Sequence, residues 1–186
     1  MILMAKKKTK KQELEELTNH LYKINPPNLQ YFEQTVIPEY YPRLKKVDMK
    51  SIADRIFSDF VRITNADENG MVQCITCLKR FFREFAQEIN NGHYKKRSSY
   101  KYRYDIINCH PQCYTCNVVL SWNYRNYHIY MVNTYGEELE RKIREDNSTK
   151  KLYDYDMVQR CVDRYNTIKE KKAIIEKNNP HKLILK

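Results

Sequence analysis

Cys74-Ile75-Thr76-Cys77 and Cys113-Tyr114-Thr115-Cys116 are two C-x-x-C pairs that stand 35 residues apart and decide the fold of this chain. Two residues between cysteines let both sulfurs of one turn reach the same ion, and two such turns complete a tetrahedral four-thiolate site. The interval is longer than in a simple zinc ribbon, so we expect it to form a structural insert. The pattern therefore predicts a structural Zn²⁺ held by Cys74, Cys77, Cys113 and Cys116.

The other two of the six cysteines, Cys109 and Cys161, belong to neither pair. Cys161 lies on the apolar stripe of the last predicted helix, which indicates a buried core thiol. We expect Cys109 to pack beneath the site, with competition for the metal as the alternative. A redox function for the pairs is a weaker alternative, because a redox C-x-x-C normally occurs once and opens a helix beside a parallel sheet.

Composition favours an intracellular protein with a polyanionic partner. The 186 residues include 34 Lys and Arg against 23 Asp and Glu, which gives a formal charge of +11 and a pI near 9.3. This balance suits nucleic acid or an anionic membrane surface, and a merely basic soluble protein is the plain alternative. No stretch approaches the ~20 consecutive apolar residues of a membrane span. We therefore expect a cytoplasmic protein with reduced thiols and no membrane partner.

Polar residues between and after the cysteine pairs follow an informative order. His93 ends a predicted strand, and Asn108 comes 15 residues later. Cys113 follows five residues after that, and Asn117 directly follows Cys116, the second cysteine of that pair. A zinc-containing HNH nuclease has this order. We therefore predict an α+β fold with a zinc-stapled ββα-metal (HNH-like) core and flanking α-helices.

Phosphodiester cleavage requires residue types of this kind. His93 is the expected base, since a neutral imidazole accepts a proton near pH 7. Asn108 would hold the orientation and tautomer of that imidazole, and Asn117 offers a hard oxygen ligand to a catalytic Mg²⁺ or Mn²⁺. The zinc would fix Asn117 opposite His93. His110 either contributes to the catalytic metal or the phosphate, or packs behind the site.

The chain divides into three predicted regions. A basic tail, a short helix and a proline-containing connector occupy residues 1–47, the zinc-containing HNH-like domain with its leading helix occupies 48–136, and a helical region occupies 137–186. Apolar spacing and helix breakers predict helices over about 12–22, 49–64, 113–133, 137–145 and 154–177. We expect a short strand at 71–74 and an extended hairpin with a mobile basic loop at 81–108.

Residues 55–145 resemble the phage NinG (Rap) recombination family. The resemblance implies a nuclease that acts on branched DNA such as Holliday junctions and recombination loops. Every matching stretch keeps its order along the chain: Phe57-Ser58-Asp59-Phe60-Val61-Arg62, Cys74-Ile75-Thr76-Cys77, Gly92-His93-Tyr94, Arg103-Tyr104, Asn108-Cys109-His110-Pro111-Gln112-Cys113, Cys116-Asn117, Leu120-Ser121, Asn123 and Tyr135-Gly136.

The sequence departs from the related patterns at two positions. Trp122 stands where the NinG resemblance leads us to expect Gly. The site is also similar to that of endonuclease VII-type phage resolvases, which place an Asp directly before the His, whereas this chain has Gly92 there. The second protein ligand of the catalytic ion is therefore open among water, His110 and a nearby carboxylate such as Asp105.

The loop after His93 is the expected nucleic-acid contact. It runs YKKRSSYKYRY over residues 94–104, and its cations would neutralise phosphates while its tyrosines stack on unpaired bases. A solvated loop is the alternative. Arg103 matches a family arginine, and its fork suits phosphate. The predicted DNA-binding cations are Lys95, Lys96, Arg97, Lys101 and Arg103.

These features together predict a metal-dependent DNA endonuclease of phage-type recombination, which hydrolyses phosphodiester bonds in branched or single-stranded DNA. The alternative is a non-catalytic zinc-containing accessory protein that binds nucleic acid, and Gly92 is its main support. Resolving a junction takes two symmetric cuts, so a homodimer would suit the function. The apolar stripe of the last helix offers a surface for one, although such stripes more often pack in a core.

Overall fold

A computed structural model of the chain describes residues 9, 12–13, 16, 47–82, 88–148 and 164–178. Most of the predicted helix at 12–22, and Cys161, lie outside these residues. Contacts divide the chain into two units, Met1–Ile56 with Asp154–Tyr165 and Phe57–Tyr153 with Asn166–Lys186. The division into three regions stays a prediction. All of the predicted site residues belong to the second unit.

Along the described residues, an α-helix precedes four short strands, and further α-helices follow them. The helices are α1 (Val47–Thr64), α2 (Tyr124–Tyr135), α3 (Glu137–Glu145) and α4 (Tyr165–Asn178), and the strands are β1 (Met71–Gln73), β2 (Arg80–Phe82), β3 (Ile89–His93) and β4 (Cys109–Cys113). This mixture confirms the α+β prediction. None of the described helices is long and apolar enough to span a membrane.

The end of α1 is held by a cation from α4. Phe57 and Val61 of α1 are buried, as its apolar periodicity predicts. The Lys171 ammonium donates a hydrogen bond to the carbonyl of Thr64, with a distance of 2.6 Å between Nζ and O. Carbonyls at a helix C-terminus lack partners in the helix and carry partial negative charge, so a lysine is a suitable cap there. Burial lowers the pKa of Lys171.

A tight turn after α1 opens the first hairpin. The Asp67 carboxylate accepts hydrogen bonds from the backbone amides of Asn69 and Met71, both at 2.9 Å, and Gly70 takes a φ of 75° that favours glycine. Strands β1 and β2 then pair antiparallel. An ion pair between Asp67 and Arg80 joins the turn to β2. The turn leads into β1, which confirms the short strand predicted over 71–74.

Strands β3 and β4 form the second antiparallel pair, which we call the ribbon. Its register places Ile89 opposite Cys113 and His93 opposite Cys109. The predicted hairpin over 81–108 is therefore wrong in its second arm, because β3 pairs with residues after 108. Residues 94–108 form the connecting loop, which contains a 3-10 turn at Tyr100–Tyr102.

Helix α2 packs across the ribbon through tyrosines. Tyr94, Tyr102, Tyr127, Met131 and Ile143 form the buried cluster that joins the ribbon loop, α2 and α3. The Tyr127 hydroxyl, fully buried, lies 3.1 Å from the carbonyl oxygen of Gly92 and 3.2 Å from that of Asn108. Because carbonyl oxygens only accept hydrogen bonds, the Tyr127 hydroxyl is the donor. This buried polar group therefore has hydrogen-bond partners inside the core.

The single helix predicted over 113–133 is interrupted. Residues 109–113 are strand, Thr115–Val119 is a π-helix, Ser121–Asn123 is a 3-10 turn, and only then does α2 begin. Ser121, Trp122 and Asn123 have φ values of 46°, 73° and 45°. Two side chains hold this left-handed turn: the Gln112 amide donates to the Trp122 carbonyl at 2.6 Å, and the Asn123 amide donates to Cys116 Sγ at 3.5 Å.

Left-handed φ at position 122 explains why Gly is expected there. In a helix interior, Gly is less stable than Ala by roughly 1 kcal/mol, but in the left-handed region the order reverses. We expect the free energy of unfolding of Trp122→Gly to be about 1 kcal/mol higher than that of Trp122→Ala. Urea denaturation of the zinc-loaded proteins measures the difference. The pair differs only in Cβ, so a more stable Ala variant would contradict the turn.

Candidate metal centre and the ribbon beside it

The four predicted zinc ligands converge. Cys74 and Cys77 lie in the turn between β1 and β2, Cys113 ends β4, and Cys116 lies in the π-helix. Their sulfur atoms are all within 4.8 Å of one another, and the sulfurs of Cys77 and Cys113 are 3.7 Å apart. A tetrahedral ion with Zn–S bonds of about 2.3 Å separates its sulfurs by roughly 3.8 Å, so the cluster fits zinc.

Backbone geometry positions these sulfurs. The Ile75 amide donates to the carbonyl of Pro111 at 3.0 Å, which ties the first turn directly to β4. Burial tends to raise the pKa of Cys74, but hydrogen bonds from the Thr76 hydroxyl and from the backbone amides of Cys113, Cys77 and Thr76 lower it to about 7. One thiol is thus prepared to be a thiolate, the form that binds a metal.

Cys109 is separate from the cluster. Its side chain is 3% exposed, and its sulfur lies 3.5 Å from the carbonyl oxygen of Arg103. The group of four sulfurs does not include it. The prediction that Cys109 packs beneath the site is therefore confirmed.

His93 ends β3 with its ring fixed by a backbone carbonyl. The Nε2 atom lies 3.0 Å from the oxygen of Arg103. Because a carbonyl only accepts, Nε2 carries the ring proton and Nδ1 keeps the lone pair. Burial lowers the pKa of His93 to about 4, and the nearby cations Arg97 and Arg103 act in the same direction. The ring is therefore neutral at pH 7, and it is 9% exposed.

Asn108 holds the loop rather than the His93 ring. The fully buried side chain accepts a hydrogen bond from the Lys95 amide at 2.6 Å and donates to the carbonyls of Lys95 and Tyr102 at 3.1 and 2.9 Å. These contacts tie both arms of the loop to the start of β4. Arg103 supplies the contact to the imidazole that the sequence had assigned to Asn108.

His110 lies in a cage of tyrosines. Its Nδ1 is 3.0 Å from the Tyr127 hydroxyl and its Nε2 is 2.8 Å from the Tyr135 hydroxyl. Since Tyr127 donates to carbonyls, its oxygen accepts from Nδ1, and Nε2 accepts from Tyr135. Burial lowers the pKa of His110 to about 4. With both nitrogens engaged, His110 does not fit as a ligand of a catalytic ion in this arrangement.

Gln112 occupies the space in front of Gly92. A Cβ at position 92 would collide with the Gln112 side-chain oxygen and would come within 3.0 Å of the Gln112 Cβ. The acidic side chain found in endonuclease VII-type resolvases therefore does not fit here unless Gln112 moves. Gln112 is fully buried, and its Oε1 atom has no hydrogen-bond partner among the described residues.

Asn117 contacts β3 at Asn90, not at His93. Its Nδ2 atom donates to Asn90 Oδ1 at 3.3 Å. Successive strand residues point to opposite faces, so Asn90 and Gly92 share one face of β3, and Asn91 and His93 share the other. The structure thus brings Asn117 to the ribbon without placing it beside the His93 ring. Its side-chain oxygen remains the atom available to a ligand.

The predicted DNA-binding cations differ in their contacts. Lys95 donates to the Arg144 carbonyl at 3.0 Å, and Lys101 pairs with Asp146. Arg103 is 6% exposed and donates to the Arg97 carbonyl at 2.7 Å, so it stabilises the loop. The side chains of Lys96 and Arg97 are exposed.

The sequence did not indicate the buried polar network around Glu140. Glu140 is 2% exposed; the Tyr94 hydroxyl donates to it, and the Arg144 Nε donates to it at 2.8 Å. Burial raises the pKa of Glu140, but these two hydrogen bonds outweigh that effect and lower it. Helix α3 is highly charged, so nothing in the pattern distinguished this glutamate. The place of Tyr94 in the Gly92-His93-Tyr94 stretch was the one available sign.

We expect one zinc ion per chain, measured by plasma emission spectroscopy. Cys113→Ser should lose the ion and much of the stability, because the ion holds separate segments together. Cys109→Ala, the matched control, should keep the ion, with only a modest drop in melting temperature. Full zinc content in Cys113→Ser would contradict the assignment.

The buried histidines make stability depend on pH. The unfolded state protonates His110 near its ordinary pKa of about 6.5, whereas the folded state takes this proton only near 4. Stability is therefore full above about pH 6.5 and falls as the pH drops toward 4, by roughly 3 kcal/mol for this residue. Urea unfolding at both ends of the window should show a weaker pH dependence in His110→Gln than in the wild type. An equal pH dependence of the free energy of unfolding in the two proteins would contradict this assignment to His110. Loss of zinc at low pH affects both proteins alike, so it does not produce the expected difference.

Comparison with known proteins places the chain in a family. The family model described as bacteriophage lambda NinG protein matches residues 42–176, well over half of the 186-residue chain. Searches of curated proteins and of solved structures found no match. The matched range contains both cysteine pairs, the whole ribbon and helices α2 and α3. The chain therefore belongs to the NinG family, a phage family related to recombination.

Proposed function

We propose that the protein is a metal-dependent DNA endonuclease of phage recombination that hydrolyses phosphodiester bonds in branched or single-stranded DNA, with an HNH-like (ββα-metal) core. The observation that carries the proposal is His93, a neutral imidazole at the end of β3 whose Nε2 is held by the carbonyl of Arg103. A cysteine cluster that fits zinc holds the other end of the same ribbon.

His93 acts as the general base in this proposal. The proton on Nε2 leaves the lone pair on Nδ1, which takes the proton from the attacking water. Asn91 supports this role, because it shares the His93 face of β3 and its buried Oδ1 has no hydrogen-bond partner among the described residues. Such an acceptor would orient a water beside the imidazole.

A divalent ion remains part of the proposal, and Asn117 can offer it a ligand beside His93 only after its side chain leaves Asn90, which lies on the opposite face of β3. Bound Mg²⁺ or Mn²⁺ supplies charge stabilisation at the phosphate in reactions of this class. Asn117 suits such an ion because its nitrogen, and not its oxygen, makes the contact with Asn90. His110 is left out, since tyrosine hydroxyls take both of its nitrogens.

A second candidate is a non-catalytic zinc protein that binds branched DNA during recombination. Gln112 favours it, because it fills the space that an acidic ligand at position 92 would need. The low exposure of His93, 9%, points the same way. This candidate predicts salt-sensitive binding to DNA without turnover in any metal.

Cleavage of synthetic DNA separates the candidates. Zinc-loaded protein is incubated with Mg²⁺ or Mn²⁺ and with four-way junctions, forks, single strands and linear duplex. We expect cuts in the branched or single-stranded substrates, and we expect His93→Ala to lower the rate by roughly 10² to 10⁴, the usual contribution of a general base. DNA binding and zinc content should be unchanged in this variant.

The matched control is His128→Gln, because His128 is a histidine of α2 whose side chain is 41% exposed, and glutamine keeps a polar group near the Tyr94 hydroxyl, which lies 3.1 Å from His128 Nδ1. It should cut at close to the wild-type rate. Normal cutting by His93→Ala would show that another group is the base. A wild-type protein that binds junctions and cuts none of them in either metal would favour the accessory candidate.

A further inference from the structure

A cavity of about 550 Å³ lies beside the strand end that carries His93. Its walls come from the loop after β3, from the start of α2 and from the residues that follow α3. This volume lies in the range of roughly 300–1,000 Å³ that is typical of sites for small ligands. The proposed hydrolysis does not use the cavity, although its lining includes Lys95 and Lys96, which the sequence predicts to bind DNA.

Two lysines make one side of the cavity basic. The Lys95 ammonium donates to the Arg144 carbonyl, which holds the charge at the rim, and Lys96 is exposed with its Nζ 5.8 Å from the centre of the Trp122 ring. Asp146 also lines the cavity. Its charge is balanced by the ion pair with Lys101, so the cavity favours an anion.

The lining of the cavity is also aromatic. Tyr100 and Tyr124 line it, and the Tyr124 ring stacks on Tyr94 with 5.6 Å between ring centres and 8° between planes. Tyr94 is 7% exposed and its hydroxyl donates to the buried Glu140. The stack leaves the Tyr124 ring less freedom, so a ligand would lose less entropy in ordering it.

Small polar groups complete the lining. Ser98 and Ser99 lie on the loop, and Asn147 and Ser148 follow α3. Hydroxyls and an amide can donate and accept hydrogen bonds to the edge of a base or to a sugar. Cations, tyrosine rings and such groups together match the three parts of a nucleotide: its phosphate, its base and its sugar.

We propose that this cavity binds one unpaired nucleotide of a DNA strand, with its base against Tyr100 and Tyr124 and its phosphate against Lys95 and Lys96. A paired base is stacked inside the duplex, so only an unpaired or extruded nucleotide reaches such a cavity. Tyr94 lines the cavity and directly follows His93 in the chain, so the cavity and His93 lie at the same end of β3. The inference rests on the proposed function and names the DNA feature that the site recognises.

The test compares the binding of the protein to a duplex that contains one unpaired 2-aminopurine with its binding to the same duplex fully paired. The zinc-loaded protein is used without Mg²⁺ or Mn²⁺, which keeps the DNA intact, and no chelator is added, which keeps the zinc. We expect the protein to prefer the unpaired substrate. Tyr100→Leu should weaken binding to it by roughly 5- to 150-fold, the usual effect of losing one stacked base, with little effect on the paired duplex.

Control variants separate stacking from general damage. Tyr100→Phe keeps the ring and should keep the preference, and Tyr114→Leu removes an exposed tyrosine outside the cavity, so it should also keep it. Lys96→Ala should weaken binding more than Lys142→Ala, since Lys142 is exposed on α3 outside the cavity. If Tyr100→Leu fails to fold, Ser98→Trp blocks the cavity from an exposed position and should abolish the preference.

Several results would overturn the inference. One is equal weakening of both substrates by Tyr100→Leu, which would indicate a general contact with DNA. Another is a protein that shows no preference for the unpaired substrate but releases DNA when deoxyadenosine monophosphate is added. That result would indicate a site for free nucleotides. Absence of cleavage would leave the preference intact and contradict only the endonuclease, whereas cleavage without the preference would contradict only this inference.

Discussion

The cluster of four cysteine sulfurs is the constraint on which the rest of the structure depends. It joins the turn between β1 and β2 to the end of β4, two segments separated by 35 residues. An ion bound by all four sulfurs would close a loop of this length. Because the entropy lost on closing a loop grows only slowly with its length, one such ion would order far more of the chain than it contacts. Strand β4 of the ribbon ends at Cys113, and the π-helix that follows contains Cys116.

The core beside this cluster is built from tyrosines, and this has consequences for the site. A buried tyrosine hydroxyl needs a partner, and here the partners are strand carbonyls, His110 and Glu140. Hydrogen bonds of this kind fix the ribbon against α2 more specifically than apolar contacts would. The same demand keeps His110 neutral and engaged, so one of the two histidines in the ribbon is structural.

His93 differs from His110 because of the direction in which it points. Adjacent residues of a strand face opposite sides, and Gly92 pairs with His110, which places His110 under α2 and leaves His93 on the other face. A sequence pattern gives the spacing of the two histidines but not the strand register. A shift by one residue would exchange their roles. The sequence therefore predicted both as candidates, and the pairing of β3 with β4 distinguishes them.

The positions of Asn117 and Trp122 show the limit of structural predictions made from the spacing of residues in the sequence. A helix running from Cys113 to Asn133 was a sound expectation from apolar periodicity, but two side chains, the buried Gln112 and the half-buried Asn123, hold a left-handed turn in its middle. The turn changes the direction of the chain, and Asn117, in the π-helix before it, contacts β3 at Asn90 rather than beside His93. Trp122, where the resemblance led us to expect Gly, was the sequence sign of this turn.

The sequence by itself determined the cluster of four cysteines, the α+β class, helices α1 and α3 and the family, because each depends on residues close together or on a periodic pattern. Two cysteines three residues apart reach one ion whatever surrounds them. Tertiary structure decided which histidine is caged, what holds the His93 ring, and that Arg103 stabilises the loop. These outcomes depend on strand register and on buried hydrogen bonds between segments far apart in the chain, which spacing does not encode.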